Sequence, residues 1–466
     1  MLFNVKEYGA AGDGITKDTS AIQDAINEAE KLGGGTVCIP AGKYLCGSVV
    51  LMDNITLELL PGAELIASDD PEDYTCAIDF PQSFAEKKDD AFREKRFLGL
   101  ICCKNVKNVT LRGGRLCAND TAYFEKRNVD KSDFEPAIQA PAWFMYKVAK
   151  DRVAMIICEN CENITIEDTR IESYPCYASW MIECSDIRVT GVTTAGRKDL
   201  INTDGFHFAS CRNVFISSCY LHCGDDCIAI DAHEHGESRD VVITNCIFDT
   251  SVHAVRVYTG IDSMATGKKR NVKNIMISGC TVKDAAGILS INAQDGIIEN
   301  VSISNVNATL DAEGTAFLIS TQGGEVHNVR ISNLSVIGNG CGMIHAESIG
   351  DISRVRITDC EYVITPKTKL HAQFDLMPLK FPRHCHFFPI CFHFERASDV
   401  LVKNVNLTWT APMYSDRRKP SDIAAFEKRI APTPLSILEP RHIKAFKLID
   451  CDEVRIVDSV CPDFEC

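Results

Sequence analysis

Asn163-Ile164-Thr165-Ile166 is one copy of a short motif that recurs along the chain. The motif reads Asn or Asp, Val or Ile, any residue, then Ile or Val, with Asn, Asp or Gly close behind and often Cys after that. An earlier copy is Asn108-Val109-Thr110-Leu111. Later copies start at Asp186, Asn213, Asp240, Asn274, Asn300, Asn328, Arg354, Asp399 and Glu453. Between Ile164 and Val355 the copies are spaced 23 to 34 residues apart. A period in that range signals a repeat architecture. Within each copy the apolar residues alternate, so each is a strand with one face buried. Gly, Asn and Asp punctuate the strand ends. One period holds two or three short strands with turns, the content of one coil of a parallel β-helix. A β-propeller would need about 40 residues per blade and a Trp-Asp signature, which is absent. The expected fold is therefore all-β: a single-stranded right-handed parallel β-helix.

An open end of such a stack exposes unpaired backbone and needs a cover. Residues 18–32 read as a helix, with Asp18 or Thr19 as the cap and Ile22, Ala25, Ile26 and Ala29 as an apolar stripe. Gly33-Gly34-Gly35 ends it. The chain is expected to form one domain over 1–466, with a cap region at 1–40 and coils over 41–466. Loops should leave the stack near 70–99, 119–150, 361–395 and 410–446, where the period breaks. Loops on a rigid scaffold often wall a binding cleft.

The 466 residues are 45% hydrophobic and 24% charged, as in an ordinary globular protein. No stretch reaches the roughly 20 apolar residues of a membrane helix, so no membrane partner is expected. A net charge of −15 without a basic arm argues against nucleic acid. The 23 cysteines are scattered through apolar runs. Cys158-Glu159-Asn160-Cys161 has no second pair at zinc spacing, so buried thiols are expected. Those thiols, the lack of a visible secretory signal in Met1-Leu2-Phe3-Asn4-Val5-Lys6, and sequons such as Asn163-Ile164-Thr165 inside strands point to a cytoplasmic protein.

Chemistry concentrates at Asn202-Thr203-Asp204-Gly205 and Gly224-Asp225-Asp226-Cys227. Asp204 and Asp225 are 21 residues apart, close to one coil. Stacked coils lie about 4.8 Å apart, so the three carboxylates should crowd one patch. Crowded carboxylates divide their protons unequally: one stays protonated to higher pH while others ionise. An acid beside ionised carboxylates is what glycoside hydrolysis needs. Taken singly, these aspartates read as turn residues; clustered, they also suit calcium. The stacked trio favours catalysis, with no cofactor and no metal. His253 follows Asp226 by 27 residues, again about one coil, where it can hydrogen-bond a carboxylate. Arg256 and Tyr258 are candidate sugar contacts. Trp180, one coil before the trio, is either a stacking platform or core.

At these residues the chain resembles glycoside hydrolase family 28, the polygalacturonase family. Asn202-Thr203-Asp204 and Gly224-Asp225-Asp226 match its two aspartate motifs, and Tyr8-Gly9-Ala10-Ala11-Gly12-Asp13-Gly14 resembles the opening of many pectin-degrading β-helix proteins. The resemblance implies an inverting mechanism, with Asp225 as general acid, Asp204 and Asp226 activating water, and Asn202 beside them. His253 matches the histidine of the family's Gly-His-Gly motif, here Val252-His253-Ala254. The family's Arg-Ile-Lys motif, which grips a uronate carboxylate, is replaced by Ser290-Ile291-Asn292. Ser and Asn hydrogen-bond sugars but carry no positive charge. Arg256, Lys268, Lys269 or Arg270 are the candidates for replacing it. The expected substrate is a pectic or related oligo- or polysaccharide. A lyase or epimerase on the same scaffold, or a non-catalytic glycan-binding β-helix, are the alternatives.

Overall fold

The computed structural model describes residues 1–79, 96–126, 138–139, 146–232, 236–260, 270–310, 315–338, 340–364, 370–371, 391–409 and 445–461. Its central coils each carry three short strands. Ser179–Ile182, Ser185–Thr190 and Thr193–Ala195 make one coil; Phe206–Ala209, Arg212–Ser217 and Tyr220–His222 make the next. Strands pair in parallel with their counterparts one coil on, in register: Ile164 with Ile187, Ile187 with Val214, Val214 with Val241, Val241 with Ile275. The motif copies therefore stack on one another. Among the described residues the result is a 21-stranded sheet and a 13-stranded sheet.

The Asn or Asp that opens each copy has a backbone reason. Asn108, Asn163, Asp186, Asn213, Asp240 and Asn274 all have φ between 56° and 59°. This is the left-handed region that Asn and Asp tolerate best among residues with a side chain. Their side chains also form a ladder along the surface: Asn163 Nδ2 donates to Asn108 Oδ1 at 2.8 Å and Asn213 Nδ2 to Asp186 Oδ1 at 2.9 Å.

The helix Thr19–Lys31 packs on the first coils, with Ala21, Ile22, Ala25, Ile26 and Ala29 buried. The expected cap is corrected. Asp18 stands at the N-cap, but its carboxylate accepts from the N–H groups of Ala11 and Gly12, at 2.5 and 2.9 Å, and makes no cap bond. Thr19 Oγ1 accepts from Gly47 N–H instead. Both side chains tie the helix to neighbouring turns.

Most of each expected loop insertion lies outside the described residues, as do Lys268 and Lys269. Three boundaries move. Residues 96–99 belong to the sheet strand Arg96–Lys104, 361–364 to Ile352–Ile364, and 392–395 to Phe392–Glu395. Phe124–Lys126 pairs antiparallel with Tyr146–Val148 in a separate two-stranded sheet.

In the 13-stranded sheet, side chains alternate between core and outer face. Met181, Phe208, Ile230, Val257 and Ile291 form an inward column, each one coil from the last. Phe208 is fully buried. Phe208→Ala should cost about 3–5 kcal/mol, read as a lowered denaturant midpoint. Phe215→Ala, on the outer face of the other sheet at 43% exposure, should cost about 1 kcal/mol or less.

Candidate active site

Two outward columns of the 13-stranded sheet build the floor of the site. One runs Trp180, His207, Ala229, Arg256, Ser290; the other runs Ile182, Ala209, Asp231, Tyr258, Asn292. The trio sits where these strands begin. Phe206 pairs with Ile228 and Ile228 with Val255, so two residues upstream Asp204, Asp226 and His253 stack in that order. Gly205 N–H donates to Asp226 O and Cys227 N–H to His253 O, both at 3.0 Å. This refines the expected register: Asp204 stacks on Asp226, and Asp225 sits beside them.

Each carboxylate has a different setting. Asp226 is almost fully buried; its Oδ1 lies 2.9 Å from His253 Nδ1, and its Oδ2 accepts from Arg256 Nη1 at 3.3 Å. Burial pushes its pKa up, but Arg256 and His253 outweigh that and hold it below the usual carboxylate range. Asp225 Oδ1 accepts from Asp226 N–H at 3.0 Å and its Oδ2 from Asn202 N–H at 3.1 Å. Burial and the neighbouring Asp226 charge still push Asp225 up to about 6. Asp204 is also raised, by burial first and then by Asp225 and Asp226. Its Oδ1 is buried without a partner. Thus Asp226 is the carboxylate held ionised, and the proton affinity of the group lies on Asp225 and Asp204.

The other expected residues are placed as follows. Asn202 has φ 53°, and its Oδ1 accepts from Arg152 Nη2 at 3.2 Å. Arg256 stays charged, because Asp226, Tyr258 and Asp225 outweigh the cost of its burial; it lies 4.7 Å from the Tyr258 ring centroid. Tyr258 Oη is 3.0 Å from His207 Nε2. Ser290 and Asn292 point outward next to Arg256 and Tyr258, and both are buried. Asn292 Nδ2 donates to Ser320 Oγ at 2.7 Å. Arg270 is buried before the strand Asn271–Ser278; among the described residues no ion pair joins it to the trio. Trp180 is corrected as an open platform. It is 5% exposed, with Phe97 and Tyr177 edge-on at 5.5 and 5.6 Å. The half-buried Tyr177 covers it.

Sequence reading missed three residues. Arg152, wholly buried, also donates to Ile201 O at 2.8 Å and so braces the turn carrying Asn202. His207 lies three residues after Asp204, its Nδ1 4.0 Å from Asp204 Oδ2, and Asp231 lies one coil further on. The one available signal was alternation: Phe206 and Phe208 face the core, so His207 had to face out.

A right-handed parallel β-helix with an acidic shelf at the start of one sheet's strands is the class that fold and site define. Residues 94–312, just under half of the chain, match the family model of glycosyl hydrolases family 28, so the resemblance read from the two aspartate motifs is borne out. Residues 2–58 match the model described as rhamnogalacturonase A/epimerase, pectate lyase-like. The chain is 25% identical over 300 residues to "Probable polygalacturonase" of Vitis vinifera, covering 62% of this chain and 55% of that one. It is 25% identical over 348 residues to exo-poly-alpha-D-galacturonosidase of Dickeya chrysanthemi, covering 71% and 54%. The chain thus spans about half the length of these relatives. The family 28 exopolygalacturonase of Yersinia enterocolitica superposes with a TM-score of 0.69 at 16% identity, covering 100% of this chain and 79% of that one. At that identity the likeness speaks for the right-handed β-helix fold.

Proposed function

We propose that this protein is an inverting glycoside hydrolase acting on pectic or related oligosaccharides. The carrying observation is the division of proton affinity within one small shelf: Asp225 raised to about 6, beside Asp226 held below the usual range by Arg256 and His253. Asp225 protonates the leaving oxygen as general acid. Asp226, with Asp204, holds and activates the attacking water, the single-displacement arrangement in which acid and base flank the scissile bond. Both oxygens of Asp226 are engaged by the protein's own groups, His253 and Arg256, which favours this role over that of a calcium ligand. Asn202, Arg256 and Tyr258 border the shelf and contact sugar. Ser290 and Asn292 bring only neutral hydrogen-bonding groups to the next coil, so among the described residues Arg256 is the sequence-predicted cation beside the trio for a substrate carboxylate. Buried cysteines such as Cys184, Cys211 and Cys246 support a reducing, cytoplasmic setting.

The reading predicts a bell-shaped pH profile on a panel of pectic oligosaccharides assayed for new reducing ends. The acid must be protonated, so kcat/KM should fall as pH rises through about 6. Asp226 and Asp204 must both be ionised; Asp226 is held below the ordinary carboxylate range and Asp204 is raised, so the acidic fall should follow Asp204. Products absorbing in the ultraviolet would signal a new double bond and give the site to lyase chemistry. Binding without turnover across the panel would give it to a glycan-binding role.

A further inference from the structure

We propose that His207 is a positioning residue for Asp204, its Nδ1 supplying the hydrogen bond that keeps Asp204 a carboxylate when sugar and water fill the site. The inference rests on the hydrolase reading and assigns a new part within it.

His207 lies between two buried carboxylates. Its Nδ1 is 4.0 Å from Asp204 Oδ2, and its Nε2 is 3.5 Å from Asp231 Oδ1 and 3.0 Å from Tyr258 Oη. The ring is wedged by Tyr177 at 5.1 Å and Trp180 at 6.1 Å, with Tyr258 at 6.1 Å. The groups facing it are thus Asp204 from the turn before its own strand, Asp231 and Tyr258 from the next two coils, and the Tyr177–Trp180 pair from the coil before. Arg256 is two coils along the same column, beyond Ala229.

His207 Nδ1 and Asp204 Oδ1 are each buried and unpartnered, as is Asp231 Oδ1. Buried polar atoms are normally satisfied, and orphaned ones mark places where a functional state completes the bonding. When Tyr258 Oη donates to Nε2, the tautomer is fixed with its N–H on Nδ1, toward Asp204. Closing the gap by about 1 Å makes a hydrogen bond. Such a bond favours the charged form of the acceptor. Asp204 needs that help: burial, Asp225 and Asp226 all push its proton affinity up, yet a water-activating role requires it ionised. Asp226 has His253 and Arg256 to hold it ionised. His207 is the corresponding group for Asp204.

The test compares His207→Ala with His207→Asn, whose amide N–H can stand in for Nδ1–H. His207→Ala should lower kcat about 10–100-fold with KM within about threefold, and move the acidic limb of kcat/KM up by about one pH unit. His207→Asn should recover most of the rate and return the limb. Equal losses in both variants with an unmoved limb would overturn the proposal and leave His207 a packing residue. A second readout needs no substrate: the carboxyl carbon of Asp204, assigned by its absence in Asp204→Asn, titrated by NMR. Its midpoint should rise in His207→Ala; an unchanged or lower midpoint overturns the proposal. Should wild-type protein hydrolyse nothing, the hydrolase reading fails, while this titration still decides the His207–Asp204 coupling.

Discussion

Asp225→Asn should lower hydrolysis of pectic oligosaccharides by about 10²–10⁴-fold, the usual contribution of a general acid. The amide keeps the shape, but its one oxygen can accept from only one of the N–H groups of Asn202 and Asp226 that hold the carboxylate now. What it loses is the proton delivered to the leaving oxygen. Substrates with good leaving groups need that proton least, so an activated aryl glycoside of the same sugar should lose much less rate. The folded pKa of Asp225 is raised, so its favourable contribution is present at low pH and is lost as pH rises from about 4 through about 6. Asn carries no charge at any pH. The Tm of the variant minus that of the wild type should therefore grow across that interval. An unchanged rate would remove Asp225 from the chemistry, and a Tm difference flat with pH would remove the cause given for its raised pKa.

The sequence disclosed the coil stack because every coil must bury the same alternating face, and Asn or Asp turns most of the corners in the left-handed conformation. It also disclosed the trio, because one coil of spacing brings Asn-Thr-Asp against Gly-Asp-Asp. It left open which aspartate stacks on which. Coil lengths vary, and only the pairing of Phe206 with Ile228 fixes Asp204 over Asp226. Arg152, His207 and Asp231 stayed hidden for a related reason. Their partners are 50, 51 and 24 residues away, across turns whose length no local pattern sets. Trp180 was ambiguous because its outward position reads as exposed, whereas Phe97 and Tyr177 cover it. Asp18 was placed rightly as a helix start but given the wrong hydrogen bonds, since the competing N–H groups come from the preceding turn.

Asp226→Asn should be the most damaging single change, and its effects divide three ways. Catalysis should fall about 10³-fold or more, because the carboxylate held ionised by Arg256 and His253 is lost. Stability should fall by about 3 kcal/mol, because removing one partner of a buried pair strands the other, here the Arg256 guanidinium. Chemical denaturation at pH 7 reads that loss. The third effect is the sharpest. The charge on Asp226 is, after burial, the largest cause raising Asp225, while Arg256 pulls it down. With that charge gone and Arg256 left near Asp225 and Asp204, the Asp225 pKa should drop from about 6 toward the ordinary carboxylate range. The alkaline limb of whatever activity remains should then move to lower pH. Arg256→Met should move the same limb the other way, because it removes the cation and keeps the anion. A limb that stays at one pH in both variants would belong to some other group, and the three aspartates would not share their protons.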